Sequence, residues 1–182
     1  LHDAAAKADG VAICGTFPPG VPETCYADIV QTARAAGRPV LLDGYRQVRP
    51  ALVAGPTILK INAEEIRHLT GRVNLEDAAF DCLAQYPLQM LAITDGPRPA
   101  FLFTRQASWQ FDQPALAVRS AIGAGDCATA VLLRELLAGQ PPEEAFRSAL
   151  AAANASCLTE QPCCFQPQEA EALRQRIKLT KL

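Results

Sequence analysis

Residues 120–126, Ser-Ala-Ile-Gly-Ala-Gly-Asp, combine groups that can do phosphate chemistry. Gly123 and Gly125 flank Ala124, which lets the backbone approach a ligand closely. From Asp126 through Leu137, Ala, Val and Leu recur at helical spacing, so the turn feeds a helix N-terminus. Free N–H groups at such a terminus face an anion, and the helix dipole adds to the attraction. Asp126 stands in the first turn, placed to take a proton from a hydroxyl that attacks a phosphate held by those amides. The same residues also read as an ordinary glycine turn with an acid that compensates the dipole, and turns of that kind are common. The rest of the chain has to decide between the two.

Four stretches decide it by their order: Gly15-Thr16-Phe17-Pro18-Pro19-Gly20-Val21-Pro22, Lys60-Ile61-Asn62-Ala63-Glu64-Glu65, Thr94-Asp95-Gly96, and Ser120-Ala121-Ile122-Gly123-Ala124-Gly125-Asp126. Through them the chain resembles the phosphofructokinase-B/ribokinase family of carbohydrate kinases, in the phosphofructokinase and tagatose-6-phosphate kinase branch. The resemblance covers essentially all 182 residues, yet only the later part of a family member. The family's first strands, much of its sugar site and its lid have no counterpart. The resemblance implies a ribokinase-like three-layer α/β fold, ATP and Mg2+ as cofactors, and a sugar or sugar phosphate as substrate. Family members often pair through the lid, so a chain without it is expected to expose apolar strand edges, and a homodimer is one outcome.

Residue by residue, the resemblance implies the following. Gly123, Ala124 and Gly125 form an anion hole for the transferring phosphoryl group, and Asp126 is the base. Asn62 and Glu65 match the family's Asn-x-x-Glu motif of the magnesium and phosphate site, where magnesium keeps several waters and needs few protein oxygens. The spacing of Asn62 and Glu65 is equally that of a capping box, and a cap can also aim the carboxylate. Thr94 and Gly96 open the nucleotide loop, usually Thr-x-Gly-x-x-Gly. Pro99 stands where its last glycine is expected, so a contact needing a left-handed turn or that N–H is lost. Ala121 replaces a family Thr or Ser, and Ser120 is the candidate to supply the missing hydroxyl. Asn154 falls where the family lines its adenine pocket, or is a polar residue at a helix crossing. Lys60 reads as a solvated or salt-bridged strand end, and Asp43 as a site neighbour or a turn former. His2 and His68 lack an acid or nucleophile companion, and Trp109 reads as packing.

The elements that position these residues alternate. Val11 to Cys14 and Val40 to Asp43 read as buried strands around a helix from Glu23 to Ala36, a parallel βαβ unit. Val48 to Ala54 form a short helix, Thr57 to Lys60 a strand that ends at Asn62, and Glu64 to Leu69 a helix closed by Thr70-Gly71. Asn74 caps a helix from Leu75 to Tyr86, followed by a strand from Leu91 to Thr94. Ala100 to Thr104, Ser108 to Asp112 and Ala115 to Val118 read as short strands in antiparallel pairing. After the helix from Asp126, Pro142 begins another to about Cys157, and Pro167 a last one to Ile177. The expectation is one domain, residues 1–182, with a mostly parallel sheet, helices on both faces and an antiparallel edge. Thr16, Asp43, Asn62, Thr94 and the Gly123 turn each follow a strand, where such sheets bind ligands.

Composition bounds the remaining classes. A hydrophobic share of 49%, a charged share of 20% and a net charge of −2 give an ordinary globular chain with no electrostatic case for nucleic acid or an anionic membrane. No apolar stretch is long enough to span a bilayer, and the first residues, which lack a starting Met, fit a chain beginning part-way through a larger protein. Seven cysteines, without a CxxC pair or histidines at metal spacing, read as reduced, mostly buried thiols of a cytoplasmic protein. Neither a Walker A loop nor a protein-kinase signature occurs. The functional expectation is therefore ATP-dependent phosphoryl transfer to a hydroxyl of a sugar or sugar phosphate. Two other readings stand beside it: a ribokinase-type or other sugar kinase of the same family, and a truncated, non-catalytic nucleotide-binding half of such a kinase. A thiol-reactive protein using Cys163 and Cys164 is a further alternative.

Overall fold

The computed structural model describes residues 1–15 and 20–182. Its elements are α1 (His2–Lys7), β1 (Val11–Cys14), α2 (Cys25–Ala35), β2 (Val40–Asp43), α3 (Arg49–Ala54), β3 (Ile58–Asn62), α4 (Ala63–Thr70), α5 (Leu75–Gln85), β4 (Met90–Thr94), β5 (Ala100–Thr104), β6 (Ser108–Asp112), α6 (Ala124–Leu137), α7 (Pro142–Ser156), α8 (Pro167–Arg176) and β7 (Lys178–Lys181). The strands form one sheet in chain order, β1 through β7. β1 to β4 pair in parallel, and β6 and β7 are antiparallel. This is the mostly parallel sheet with an antiparallel edge that the alternation of elements leads one to expect. No helix of the described residues is long and apolar enough to cross a membrane.

The chain divides into two compact units, one of residues Leu1–Asp95 and Phe103–Ala107 and the other of Gly96–Leu102 and Ser108–Leu182. In the first, Leu41, Leu42, Leu59, Ile61, Leu91 and Ile93 are fully buried. A parallel strand covered on both faces reads as such an unbroken apolar run, and each of these side chains contributes about 1.5–3 kcal/mol by leaving water. Polar side chains set the helix boundaries. Asn74 Oδ1 accepts from the N–H groups of Glu76 and Asp77 at 2.7 and 3.1 Å, which starts α5. Arg105 closes its far end, donating to the carbonyls of Leu83 at 3.0 Å and Leu88 at 3.3 Å.

In the second unit, α6 and α7 meet through small residues. Ala128, Leu132, Ala145, Ala149, Ala152 and Ala155 are buried, and small side chains let the two backbones approach. Phe111 of β6 packs edge-on against Phe146 of α7, with ring centroids 5.0 Å apart. α8 is tied to α7 by Arg174, which pairs with Glu144 and donates to Ser148 Oγ at 3.1 Å.

Two expectations need correction. Ala115 to Val118 is not a strand. Its apolar alternation imitates one, but the edge of β6 is taken by β7, with Phe111 opposite Leu179. β7 itself, Lys-Leu-Thr-Lys, carries no strand signal in sequence, because a short edge strand with lysines reads as a polar tail.

Candidate functional site

Gly123 is the N-cap of α6, with φ 81° and ψ −2°. This left-handed conformation suits glycine. The surroundings demand it as well: a Cβ there would lie 2.6 Å from Cys163 Sγ and 3.0 Å from the Cys163 backbone nitrogen. Ala124, Gly125 and Asp126 are therefore the first three helical residues. Ala124 N–H donates to Ala121 O at 3.3 Å, whereas those of Gly125 and Asp126 have no hydrogen-bond partner among the described residues, as the first turn of a helix requires. Asp126 is exposed and its carboxylate makes no ion pair or hydrogen bond among the described residues. Ser120 Oγ accepts from Ile122 N–H at 3.3 Å, bracing the turn from inside. The arrangement offers open donors and a free carboxylate on consecutive residues.

In the other unit, candidate residues gather at the carboxyl ends of neighbouring strands. The β2–β3 register sets Asp43 beside Lys60, and the β3–β4 register sets Asn62 beside Thr94. Ends of adjacent parallel strands are where open α/β sheets hold ligands. Asn62 and Glu65 form a complete capping box on α4: Asn62 Oδ1 accepts from Glu65 N–H at 2.9 Å, and Glu65 Oε2 accepts from Asn62 N–H at 3.0 Å. That leaves Glu65 Oε1 and one Asn62 lone pair. Among the described residues no three His, Cys, Asp or Glu side chains stand close enough to hold a metal together. A donor set this small fits magnesium, which retains its waters, and not a caged metal.

Of the two readings of Lys60, the salt-bridged strand end is the one found. It is 4% exposed and donates to Asp43 Oδ2 at 2.8 Å. A cluster after β2 escaped the sequence reading. Arg46 lies 5.5 Å from the centroid of the Tyr45 ring and donates from Nε to the Tyr45 hydroxyl at 3.0 Å. The Tyr45 ring meets His68 of α4 edge-on at 5.6 Å. The Tyr45 hydroxyl, and in smaller part Glu65, hold the guanidinium above its usual range. Its only sequence signal is a charged residue directly after a strand end.

The remaining candidates are placed as follows. Gly96 is exposed with φ 58°, in the turn after β4. Asn154, on α7, donates from Nδ2 to Gln113 Oε1 at 2.8 Å, so one of its amide hydrogens is engaged within its own unit. Thr16 and the rest of residues 16–19, the middle of the Gly15-to-Pro22 stretch, lie outside the described residues. The cysteines are less buried than their composition leads one to expect: Cys82 and Cys127 are buried, Cys25 and Cys157 half-buried, and Cys14, Cys163 and Cys164 exposed.

Comparison with known proteins identifies relatives of the chain. The chain is 31% identical over 180 residues to the 1-phosphofructokinase of Rhodobacter capsulatus, covering 96% of this chain and 57% of that protein. It is 29% identical over 164 residues to the ATP-dependent 6-phosphofructokinase isozyme 2 of Mycobacterium tuberculosis, covering 87% and 48%. The chain thus spans about half of the length of these relatives. Its fold superposes on the crystal structure of phosphofructokinase-2 from Escherichia coli with a TM-score of 0.87, at 20% identity, over 96% of this chain and 60% of that one; the architecture is ribokinase-like. With residues 1–168 matching the model of the pfkB family of carbohydrate kinases, the glycine turn at the head of α6 and the capped Asn-x-x-Glu helix sit in a chain that belongs to that family.

Proposed function

We propose that the chain carries the phosphoryl-transfer machinery of an ATP-dependent kinase acting on a hydroxyl of a sugar or sugar phosphate. The observation that supports it best is at the head of α6, where Asp126, free and exposed, follows directly on open first-turn amides. Asp126 takes the proton of the acceptor hydroxyl as its oxygen attacks the γ-phosphorus. The bond from phosphorus to the bridging oxygen breaks and ADP leaves. In the turn Gly123-Ala124-Gly125 the open N–H of Gly125, with that of Asp126 beside it, donates to the oxygens on which charge builds, fixed in place before the reaction. Asn62 and Glu65 would hold Mg2+ through water, and the ion when bound would supply neutralisation of phosphate charge. Thr94, Gly96 and Asn154 take the nucleotide. The chain's likeness to a 1-phosphofructokinase and a 6-phosphofructokinase favours a phosphofructokinase over a ribokinase.

ADP production is measured with fructose 6-phosphate, fructose 1-phosphate, tagatose 6-phosphate and free sugars, alongside ATP binding by calorimetry. Asp126→Asn should lower turnover by about 10²–10⁴-fold with ATP affinity retained. Sugar-dependent turnover that survives the substitution would remove Asp126 from the mechanism.

A second reading is a nucleotide-binding half without turnover. It is favoured by Pro99, which stands in the nucleotide loop where a glycine is expected. Magnesium-dependent ATP binding with no ADP release on any of these substrates would select it.

A further inference from the structure

The cysteines play no part in that reading, yet two of them meet at its centre. Cys127 follows Asp126 and is buried in α6. Cys163 lies far along the chain, in the loop between α7 and α8, and is exposed. That loop is drawn in over the head of α6: Cys163 Sγ donates to Gly123 O at 3.4 Å, the same carbonyl that accepts the Cys127 N–H at 2.9 Å, so both cysteines converge on one oxygen. Cys163 has φ 57°, a conformation unusual for a residue with a side chain. The loop is held there by the Thr159 hydroxyl, which lies 2.8 Å from Gln161 O and 3.0 Å from Cys164 O.

We propose that Cys163 and Cys127 are an oxidisable dithiol, closed to a disulfide by a hydroperoxide. The exposed sulfur reacts first. Cys163 attacks one peroxide oxygen; an S–O bond forms, the O–O bond breaks, and the other oxygen leaves with the thiol proton as water or an alcohol. The product is a sulfenic acid, two electrons more oxidised. Cys127 then attacks that sulfur; the S–S bond forms, and the hydroxyl leaves with the Cys127 proton as water. Burial, with lesser contributions from Cys163 and Asp126, raises the Cys127 thiol above its ordinary range. Burial thus keeps Cys127 from meeting peroxide first, and its place beside Cys163 is what lets it resolve the sulfenic acid. A thiol reductant reverses the link by exchange. Closure removes the S–H donor from the Gly123 carbonyl, leaving it the Cys127 N–H at 2.9 Å.

The link is read by mass, independently of any kinase assay. The reduced full chain is treated with hydrogen peroxide, alkylated and digested with trypsin. Peptide 120–134, which carries Cys127, should be joined to peptide 148–174, which carries Cys157, Cys163 and Cys164. The join should persist in Cys164→Ser, vanish in Cys163→Ser and disappear on reduction. Cys163 is exposed, so its serine variant should fold, and circular dichroism checks this. A join that survives Cys163→Ser overturns the assignment. So does closure of peptide 148–174 only on itself, a link only between two chains, or oxidation of Cys163 past the sulfenic acid with Cys127 still alkylated.

Discussion

Lys60 Nζ donates to Asp43 Oδ2 at 2.8 Å across one rung of the β2–β3 ladder, with the lysine side chain 5% and the aspartate 18% exposed. The two ends of the pair are therefore unequally wet. Removing the aspartate strands a charge that water cannot reach, whereas removing the lysine leaves one that water can. Asp43→Ala should cost about 3–5 kcal/mol, the range for an uncompensated buried charge, and Lys60→Met clearly less. Denaturant titration of both variants measures this, and a larger loss for Lys60→Met would reverse the argument.

Gly123 faces two separate constraints, a left-handed backbone and the Cys163 main chain. Gly71, at the end of α4, faces only the first: φ is 73° and no atom lies within 4 Å of an added Cβ. Gly71→Ala should cost about 1–2 kcal/mol from strain alone. Gly123→Ala should cost about 2–4 kcal/mol, because crowding adds to strain. Adding Cys163→Ala should recover only part of it, since the backbone nitrogen stays at 3.0 Å. Equal losses at the two glycines would mean that the loop yields freely and does not pin the turn.

The sequence reading succeeds where the physics is local and fails where it is not. Val40 to Asp43 and Ser108 to Asp112 were legible as strands because apolar runs and turn residues mark them. Asn62 was legible as a cap because its partner is three residues away. Lys60 was legible as a solvated or salt-bridged strand end but its partner was not, since nothing near it in sequence announces Asp43, seventeen residues earlier and one strand over. Cys163 was visible as a thiol, but its seat on Gly123 depends on how the α7–α8 loop folds back over forty residues. β7 was hidden because its lysines, which protect an edge, look like a solvated tail. Asp126 could be singled out from its glycines, since the turn and the helix that follows it are contiguous.

Cys82 provides a pH test. Burial, with Asp81 adding and Arg49 opposing, pushes its thiol up to about 11, above the ordinary value of about 8.5 for the unfolded chain. The folded state thus holds the proton more tightly. The stabilisation is complete below the unfolded value and is lost as pH rises through the folded one. Wild type and Cys82→Ala should therefore differ most near neutral pH and converge between about pH 9 and 11. Denaturant melts of both proteins across that window measure the difference. A gap that stays constant would show that Cys82 does not titrate across that range.

At Asn62 and Glu65 the cap and the proposed magnesium role can be separated by substitution. Asn62→Ala removes the acceptor for Glu65 N–H and should cost about 1 kcal/mol. Asn62→Ser keeps an acceptor at the N-cap and should lie within a few tenths of wild type, about the spread among good caps. Glu65→Gln likewise keeps the reciprocal bond to Asn62 N–H, because glutamine serves at the third position of a capping box. It removes the charge a metal's water shell would use. If these residues only cap α4, both conservative variants should bind ATP with Mg2+ as wild type does. On the proposed reading they melt as wild type yet bind the magnesium complex about 10–100-fold more weakly, with affinity for ATP in chelator unchanged. Calorimetry with and without Mg2+ distinguishes the two, and unaltered magnesium-dependent affinity in Glu65→Gln would return the motif to a purely structural cap.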